Sequence, residues 1–477
     1  MAEDKVLNMA KKKELIIIVI SVLVVLVGVG AVIFFTGGGN FKNRSTFASH
    51  TDCELFQTVP IMTGKSITLT KAAEVGSGNY MINADNTSLS EYKEYLEKLE
   101  KNGFEKHVDN GESGIGGDVY AAYYKKDNLL VHVCHMVNLG RTMITTCENP
   151  ALSENLFYDD SYVANNIEGA KTTFHLQELY NVGNSFVFQL KNGHFIINDG
   201  GMDTELPYLL DYLESLAPVG EKPIIDLWVI SHAHVDHMGV LDKICTDTNA
   251  LNRIYVENVF FNAPTTAAFK TPAGLFENVK PAVTVCNAAS TYFKSTDGDG
   301  PTIYRPRIGD HYYFNDITID VIYSQELMDC NEWETWNSST TVLMYTIEGQ
   351  KVLITGDTDI NCQKIYMQMY DREYFDLDVY QVAHHGKNLF NAFTNYCSSI
   401  GTLIYPTYKL GSASPEGNFA GRSVQNEYLK SKAKEAYTYA DGTKVLTFPY
   451  EVGTTESLPA REWKYNTTPP KWKSVAK

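Results

Sequence analysis

Apolar residues form an uninterrupted run near the amino end of the chain, at 15–35. At about 1.5 Å per residue, a helix of this length crosses a bilayer core of roughly 30 Å. The run exceeds the apolar stretch of a typical cleaved signal peptide, and no small-residue cleavage site follows it before Gly37-Gly38-Gly39. The pattern therefore predicts a single transmembrane helix at 15–35, followed by a linker at 36–44.

Positive residues are denser before this run than after it. Lys5 and Lys11-Lys12-Lys13 precede it, whereas only Lys42 and Arg44 follow it closely. Since positively charged flanks stay in the cytoplasm, residues 1–14 are expected to be a cytoplasmic tail. The chain is then a single-pass protein of the cell membrane whose larger part is extracellular.

Residues 45–160 have the pattern of a small α+β accessory domain. Ser88-Leu89-Ser90-Glu91 has the spacing of a capping box and predicts a helix through Lys101 that Asn102-Gly103 ends. Alternating stretches predict a strand meander at 119–125, 129–136 and 142–146. No cluster of catalytic residue types occurs in this segment, so a wall-binding, substrate-presenting or structural role stays open.

From about residue 165 onward, apolar strands alternate with loops rich in Asp, His and Gly. Strands are predicted at 186–190, 195–198, 224–230, 256–261, 317–323, 341–347, 352–355 and 379–383. Helices are predicted at 206–216, 362–369 and 424–436. This order fits an α/β domain at 165–477 in which a two-layered sheet core is flanked by helices.

Composition limits the range of partners. The chain has 477 residues and a formal net charge of −17, so its field repels polyanions and makes nucleic acid a less favoured substrate. Eight scattered cysteines without a CxxC pair exclude a cysteine metal cluster or a disulfide scaffold. Cys134 and Cys147 lie on neighbouring predicted strands, and either a bridge or two buried thiols fits the sequence.

A metal-binding pattern follows the apolar strand at 224–230. In Ser231-His232-Ala233-His234-Val235-Asp236-His237, the first two histidines are two residues apart and can face one side. Asp236 and His237 follow on the turn, where they can reach a second ion. Together with His384-His385 this loop holds five of the twelve histidines, a concentration that a random surface distribution does not explain.

The HxHxDH motif after an apolar strand resembles the metallo-β-lactamase superfamily, and further motifs occur in that family's order. Residues 195–201 resemble the early strand ending in Asp-Gly, 352–359 the strand that carries the bridging carboxylate, and 379–386 the last histidine motif. The particular residues of four motifs resemble one branch of the superfamily, which contains ComEC-like competence hydrolases and phosphorylcholine esterases. These motifs are 181–185, 337–340, Ile-Thr-Gly-Asp and His-His-Gly.

This resemblance implies an αββα sandwich over 165–477 and two divalent metal ions, for which zinc is expected and manganese or iron are alternatives. The ions would activate a bridging water. The implied metal ligands are His232, His234, Asp236, His237, Asp357 and His385. Asp236 would also orient the nucleophile, and Asp199 would support the histidines from behind.

The choice between the two adjacent histidines stays open at this stage, because neighbouring residues leave a strand on opposite faces. We take His385 as a ligand of the second metal, which leaves His384 as a catalytic residue that contacts substrate or transfers a proton.

Two positions depart from the family pattern. The histidine that usually completes the first metal site has only His311 as a candidate, and His311 precedes the predicted strand at 317–323 instead of ending it. The first metal is therefore expected to bind His232, His234, Asp357 and water, and to bind weakly. Lys387 stands where related sequences often have serine, and either binds an anionic substrate or is a solvated surface lysine.

The favoured function is a membrane-anchored, extracellular metal-dependent hydrolase of phosphomonoesters or phosphodiesters. Its partner would be a small-molecule or cell-wall polymer phosphoester, for example a choline phosphate or a teichoic-acid-like polymer. A ComEC-like nuclease is the alternative hydrolase, which the acidic net charge disfavours without excluding nucleic acid. A non-catalytic binding or sensing protein of the same fold is the alternative from another class.

Overall fold

The computed structural model of the protein describes residues 52–76, 78–157, 165–180, 183–265, 268–271, 301–386, 391–406, 428–439 and 442–462. All the described residues belong to one compact unit within Asn43–Lys477. Within these described ranges, no helix has the length and apolar character that crossing a membrane requires. The helix predicted at 15–35 lies outside them.

The first sheet contains seven strands in the described part of the chain, in the order β1-β3-β7-β6-β5-β4 with β2 paired to β3. Its single long helix, α1, lies between β3 and β4. The elements are β1 Thr68–Leu69, β2 Ala73–Gly76, β3 Asn79–Asp85, α1 Leu89–Lys101, β4 Glu105–Asp109, β5 Val119–Lys126, β6 Leu129–Met136 and β7 Arg141–Glu148.

The helix and the three strands predicted in this segment are confirmed. Ser88 caps α1, because its hydroxyl accepts from the Glu91 backbone N–H while the Glu91 carboxylate accepts from the Ser88 N–H. The helix buries Tyr92, Tyr95 and Leu99 against one face of the sheet. All eight residues of β6 are buried, so the opposite face of the sheet is covered as well.

The second and third sheets follow in the chain. The second begins with β8 Thr173–Leu176, β9 Ser185–Gln189, β10 Phe195–Asp199, β11 Ile224–Ile230, β12 Tyr255–Val256, β13 Asn258–Phe261 and β14 Thr302–Tyr304. The third consists of β15 His311–Phe314, β16 Ile317–Tyr323, β17 Val342–Ile347, β18 Gln350–Ile354, β19 Asp376–Gln381, β20 Ser399–Tyr405 and β21 Glu435–Thr438. The chain then returns to the second sheet through β22 Lys444–Thr447 and β23 Glu456–Ser457.

These two sheets pack face to face around a core of aromatic and branched residues, in which Phe188 of β9 stacks on Tyr345 of β17 at 4.6 Å between ring centroids. The helices are α2 Leu206–Leu216, α3 Val235–Ile244, α4 Thr248–Leu251, α5 Ile360–Met369 and α6 Asn391–Tyr396. The apolar sides of α2, α3 and α5 lie in a second core with the outer faces of the sheets. The architecture is the predicted αββα sandwich of mixed sheets.

The first sheet shares that second core. Val119, Cys134 and Met143 of the first sheet lie in the same buried cluster as residues of α2, α3 and α5. The segment predicted as an accessory domain is thus continuous with the sandwich in packing.

One predicted helix, at 424–436, is wrong over its carboxyl-terminal part. Residues 428–430 are helical and 424–427 lie outside the described residues, but Glu435–Thr438 is β21, which pairs in parallel with β20. An open strand edge at β20 outweighs local helix propensity here, since pairing satisfies a row of backbone groups.

The disulfide alternative for Cys134 and Cys147 is excluded. In the pairing of β6 with β7, Cys134 lies opposite Met143, and Cys147 lies opposite Leu130. The offset of four residues separates the Cα atoms of the two cysteines by about 13 Å along the strands, far beyond the Cα–Cα span of a disulfide. Both are free, buried thiols.

Candidate metal centre

The predicted metal ligands lie at one edge of the sandwich, where strands from both sheets end. The β11 strand leads into the HxHxDH loop, β18 leads to Asp357, and β19 leads to His384-His385. β10 is parallel to β11, and β18 is parallel to β19, so each pair presents carboxyl ends at the same edge. Such edges are the usual location of sites in α/β folds.

The side chains of the HxHxDH loop point in different directions, because the backbone changes from extended to helical within the loop. His234 is the extended N-cap residue of α3, and Asp236 and His237 lie in the first helical turn. The Asp236 carboxylate is thereby placed at the positive end of a helix, which favours its charged form.

One cluster of possible ligand atoms contains Asp236, His237, Asp357 and His385. The Nε2 atoms of His237 and His385 each lie 3.3 Å from Oδ2 of Asp357. Nε2 of His385 also lies 3.4 Å from Oδ2 of Asp236, and Nε2 of His237 lies 3.9 Å from the same atom. Three of these four residues are buried, and Asp236 is half-buried.

A second cluster contains His232, His234 and, again, Asp357. Nε2 of His232 lies 2.9 Å from Nδ1 of His234. In each cluster all the possible ligand atoms lie within 4.8 Å of one another. A single carboxylate is therefore common to both clusters, as a bridging ligand must be.

Two histidines considered from the sequence lie outside these clusters. Nε2 of His384 is 3.8 Å from Oδ2 of Asp357, at the margin of the site. His311 is on β15 and pairs with Asp320 of β16, so it does not complete the second cluster. Lys387 lies outside the described residues.

In the first cluster, burial and the neighbouring charges shift the pKa values in opposite directions. Burial raises the pKa of Asp357, but His385 and His237 outweigh it and hold that pKa well below the usual range. Burial lowers the pKa of His237, but Asp357 and Asp199 raise it well above its ordinary value. Both directions favour the ionised form of the Asp357 carboxylate.

The pKa of His232 shifts in the opposite direction from that of His237. Burial, followed by the neighbouring His237, lowers the pKa of His232 well below its ordinary value. A neutral imidazole is the form that binds a metal ion.

Asp199 lies behind the site. Its carboxylate accepts from Nδ1 of His237 at 2.9 Å and from the backbone N–H and the hydroxyl of Ser231 at 2.8 and 2.9 Å. Nδ1 of His237 is thereby occupied, which leaves Nε2 toward Asp357. Asp199 has a φ of 65°, a conformation that Asp tolerates better than most residues.

The loop after β19 is similarly constrained. His384 and His385 both have positive φ, 50° and 53°, so two consecutive residues are left-handed. The His384 N–H donates to the Gly356 carbonyl at 3.0 Å, which links this loop to the one that carries Asp357. Consecutive left-handed residues are strained by on the order of 1–3 kcal/mol each and tend to occur at functional sites.

The residues present fit divalent metal ions. Nε2 of His237, Nε2 of His385 and Oδ1 of Asp357 are buried atoms for which the described residues offer no hydrogen-bond partner. Leaving such groups unsatisfied costs about 1–3 kcal/mol each, a cost that metal coordination removes. Imidazole and carboxylate donors suit zinc, manganese and iron.

Sequence reasoning gave no role to two further residues at this edge. Ser231 directly precedes the histidine motif and joins Asp199 to the loop. Asn337 lies within the motif quoted for the family branch, and its side-chain nitrogen is 3.2 Å from Nδ1 of His384. The only feature of the sequence that indicates a role for either residue is its position within a motif.

An αββα sandwich with two ligand clusters sharing a carboxylate at one sheet edge defines a class of metal-binding proteins that are generally hydrolases. Residues 180–308 match the family model described as "Metallo-beta-lactamase superfamily". A search of curated proteins gives no match.

Solved structures with similarity to the chain include a metallo-β-lactamase-fold protein and a zinc-bound protein. YhfI from Bacillus subtilis is 11% identical and has a TM-score of 0.34, with 56% of this chain and 96% of that chain covered. Zn²⁺-bound PqqB from Methylobacterium extorquens is 9% identical and has a TM-score of 0.28, with 44% of this chain and 72% of that chain covered.

Proposed function

We propose that the protein is a metal-dependent hydrolase with two metal ions, acting on phosphoesters. The observation that supports this proposal is the common position of Asp357 in both ligand clusters. His232, His234 and Asp357 would hold the first ion, and Asp236, His237, Asp357 and His385 the second. Bound at these residues, divalent ions supply an acidified water molecule and polarise the substrate oxygen.

The hydrogen-bond partner of Nδ1 supports the assignment of His385 as a ligand through Nε2. Nδ1 of His385 lies 3.0 Å from the carbonyl oxygen of Pro406, which can only accept a hydrogen bond. In a neutral ring Nδ1 then carries the hydrogen, and the lone pair of Nε2 is directed toward Asp236 and Asp357.

The bridging role of Asp357 is tested by Asp357→Asn. Because both clusters lose their common carboxylate, we expect the purified protein to lose both metal ions and more than ~100-fold in kcat/KM, beyond the cost of losing an outer partner of a ligand. Metal content is measured by mass spectrometry, together with hydrolysis rates.

Asp226→Asn is a matched control, because Asp226 is a carboxylate of β11 in the same sandwich that pairs with His194 and is in neither cluster. Retention of two metal ions by Asp357→Asn would contradict the bridging assignment.

The phosphoester specificity rests on the resemblance of the motifs to the phosphorylcholine-esterase-like and ComEC-like branch. It is tested by comparing bis-p-nitrophenyl phosphate, p-nitrophenyl phosphorylcholine, single-stranded DNA and nitrocefin as substrates of the metal-loaded protein. We expect turnover of the first two. Preferential cleavage of DNA would favour the nuclease, and bound metal without turnover of any of the four would favour a binding protein.

The location outside the cell is part of the same proposal. It rests on the apolar run at 15–35 and on the lysines before it. Protease treatment of intact cells is expected to degrade the part that carries the metal centre. Survival of the full-length chain on intact cells, with degradation after lysis, would contradict this topology.

A further inference from the structure

The two adjacent histidines differ in the hydrogen-bond partner of Nδ1. Nδ1 of His385 faces a carbonyl oxygen, whereas Nδ1 of His384 faces the side-chain nitrogen of Asn337 at 3.2 Å. An amide NH₂ group can only donate. Nδ1 of His384 must therefore accept, and a neutral ring then carries its hydrogen on Nε2, the opposite arrangement from His385.

Asn337 is held firmly enough to impose this choice. It lies in a 3-10 turn, Trp336–Ser339, and is 2% exposed. Its backbone N–H donates to the Thr335 hydroxyl, and the hydroxyl of the next residue, Ser338, donates to Asp359, the N-cap of α5. The turn is thus fixed at both sides of Asn337.

The position of His384 suits a donor. Nε2 is 3.8 Å from Oδ2 of Asp357, and the side chain is 21% exposed, whereas that of His385 is fully buried. The ring therefore lies at the margin of the ligand cluster and is partly exposed to solvent. A nitrogen that carries a hydrogen has no lone pair for a metal ion, but it can donate to a substrate oxygen.

We propose that Asn337 is a positioning residue that fixes His384 in the Nε2–H form, so that His384 donates a hydrogen bond to a phosphoryl oxygen of the substrate and does not bind metal. This inference deepens the proposed function and rests on it. It also selects substrate contact over proton transfer, because a neutral ring that gave up its Nε2 proton would become an unstable imidazolate. The donor stabilises negative charge that develops on the phosphoryl oxygen.

The tautomer is measured directly, without turnover. In the full-length protein labelled with ¹⁵N-histidine and loaded with zinc, long-range ¹H–¹⁵N spectra distinguish Nδ1–H from Nε2–H rings. We expect His384 as Nε2–H and His385 as Nδ1–H, with the His384 signals identified by their loss in His384→Gln. A wild-type His384 in the Nδ1–H form would overturn the proposal.

The substitution Asn337→Asp tests whether Asn337 determines the tautomer of His384. A carboxylate only accepts, so His384 should change to Nδ1–H while the protein keeps its metal content. Asn198→Asp is the matched control, because Asn198 is also a buried amide at this sheet edge but accepts from the Tyr345 hydroxyl, and its variant should leave His384 unchanged. An unchanged His384 tautomer in Asn337→Asp would also overturn the proposal.

Kinetics connect the tautomer to catalysis. Asn337→Asp and His384→Ala should each lower kcat on bis-p-nitrophenyl phosphate by ~10²–10³-fold, the usual effect of removing a donor to developing charge, with smaller changes in KM. His384→Gln keeps an N–H donor and should recover part of the rate. Equal rates for His384→Gln and His384→Ala would count against a donor role. If the wild-type protein hydrolyses no phosphoester, the proposed function fails, whereas the tautomer measurement still decides the role of Asn337.

Discussion

At the scale of single residues, the candidate centre depends on which atom each side chain leaves available. Asp199 occupies Nδ1 of His237, and the Pro406 carbonyl occupies Nδ1 of His385, so both rings direct Nε2 toward Asp357. Each of these two candidate ligands is thus oriented by a partner that does not itself belong to a cluster. Partners of this kind determine tautomer and ring orientation.

Asp199→Asn provides a test of this support. The variant removes the charge that faces His237 but retains a residue type that tolerates a φ of 65°. We expect metal affinity to fall by about 10–100-fold, the typical cost of losing such a partner. Affinity is measured by competition with a chromogenic chelator.

Ser231→Ala is the comparison for Asp199→Asn. It removes one donor to Asp199 and leaves the carboxylate bound to His237, so a smaller loss of affinity is expected. An Asp199→Asn protein with wild-type metal affinity would refute the support role.

At the scale of elements, the position of α3 determines where the HxHxDH loop lies. The helix approaches the turn after β10 closely, and the Val240 N–H donates to the Gly201 carbonyl at 3.2 Å. A Cβ at Gly239 would lie 2.7 Å from the backbone nitrogen of Asp203 and 2.9 Å from Cα of Met202. Contacts with backbone atoms cannot be relieved by a side-chain rotation.

Gly239→Ala is therefore expected to destabilise the protein. Alanine gains about 1 kcal/mol over glycine in helix propensity, but the backbone clash costs more, so we expect a net loss of about 1–3 kcal/mol in the free energy of unfolding. Denaturation in urea measures the change.

Lys243→Ala in the exposed last turn of α3 serves as the control for that experiment, and should change the unfolding free energy by less than ~0.5 kcal/mol. A Gly239→Ala protein as stable as the wild type would show that α3 can move away from this turn.

At the scale of the whole molecule, buried polar residues join the first sheet to the sandwich. The hydroxyls of Tyr123 and Tyr312 each donate to Asp310 at 2.6 Å. The ring of His132 on β6 is tilted against that of Tyr123, with 4.6 Å between ring centroids, and both of its nitrogens are buried without a hydrogen-bond partner among the described residues. Burial, followed by the charge of Arg307, lowers the pKa of His132 well below its ordinary value.

The lowered pKa of the buried His132 predicts that the stability of the protein depends on pH. Below pH 6.5 the unfolded chain protonates His132 while the folded protein does not, so the residue destabilises the fold as the pH falls. His132→Phe should gain stability relative to the wild type below that pH, at a slope approaching about 1.4 kcal/mol per pH unit. Urea unfolding at pH 7.5, 6.5 and 5.5 measures the slope.

His194→Gln should give the opposite sign. Its hydrogen bond with Asp226 raises the pKa of His194, so the stability that His194 contributes is present below pH 6.5 and is lost as the pH rises through the folded-state pKa. Parallel pH profiles of His132→Phe and the wild type would contradict the assignment of a neutral, buried His132.

The sequence by itself predicted many of the elements and the candidate ligands that the fold brings together. Periodicity predicted the helices α1, α2 and α5 and the sandwich strands β9, β10, β11, β13, β16, β17, β18 and β19, because an apolar face repeats at a spacing that burial requires. The HxHxDH motif predicted the ligands, because its short spacing confines their side chains to one loop. Asp357 was predicted from its motif alone.

Tertiary structure decided what depends on distant segments. The pairing register of β6 and β7 separated Cys134 from Cys147, and the edge of β20 made a strand of residues that read as a helix. The distinction between His384 and His385 came from Asn337 and Pro406, each about twenty residues or more away in the chain. Sequence spacing cannot reveal such contacts, because they depend on which segments the fold brings together at the sheet edge.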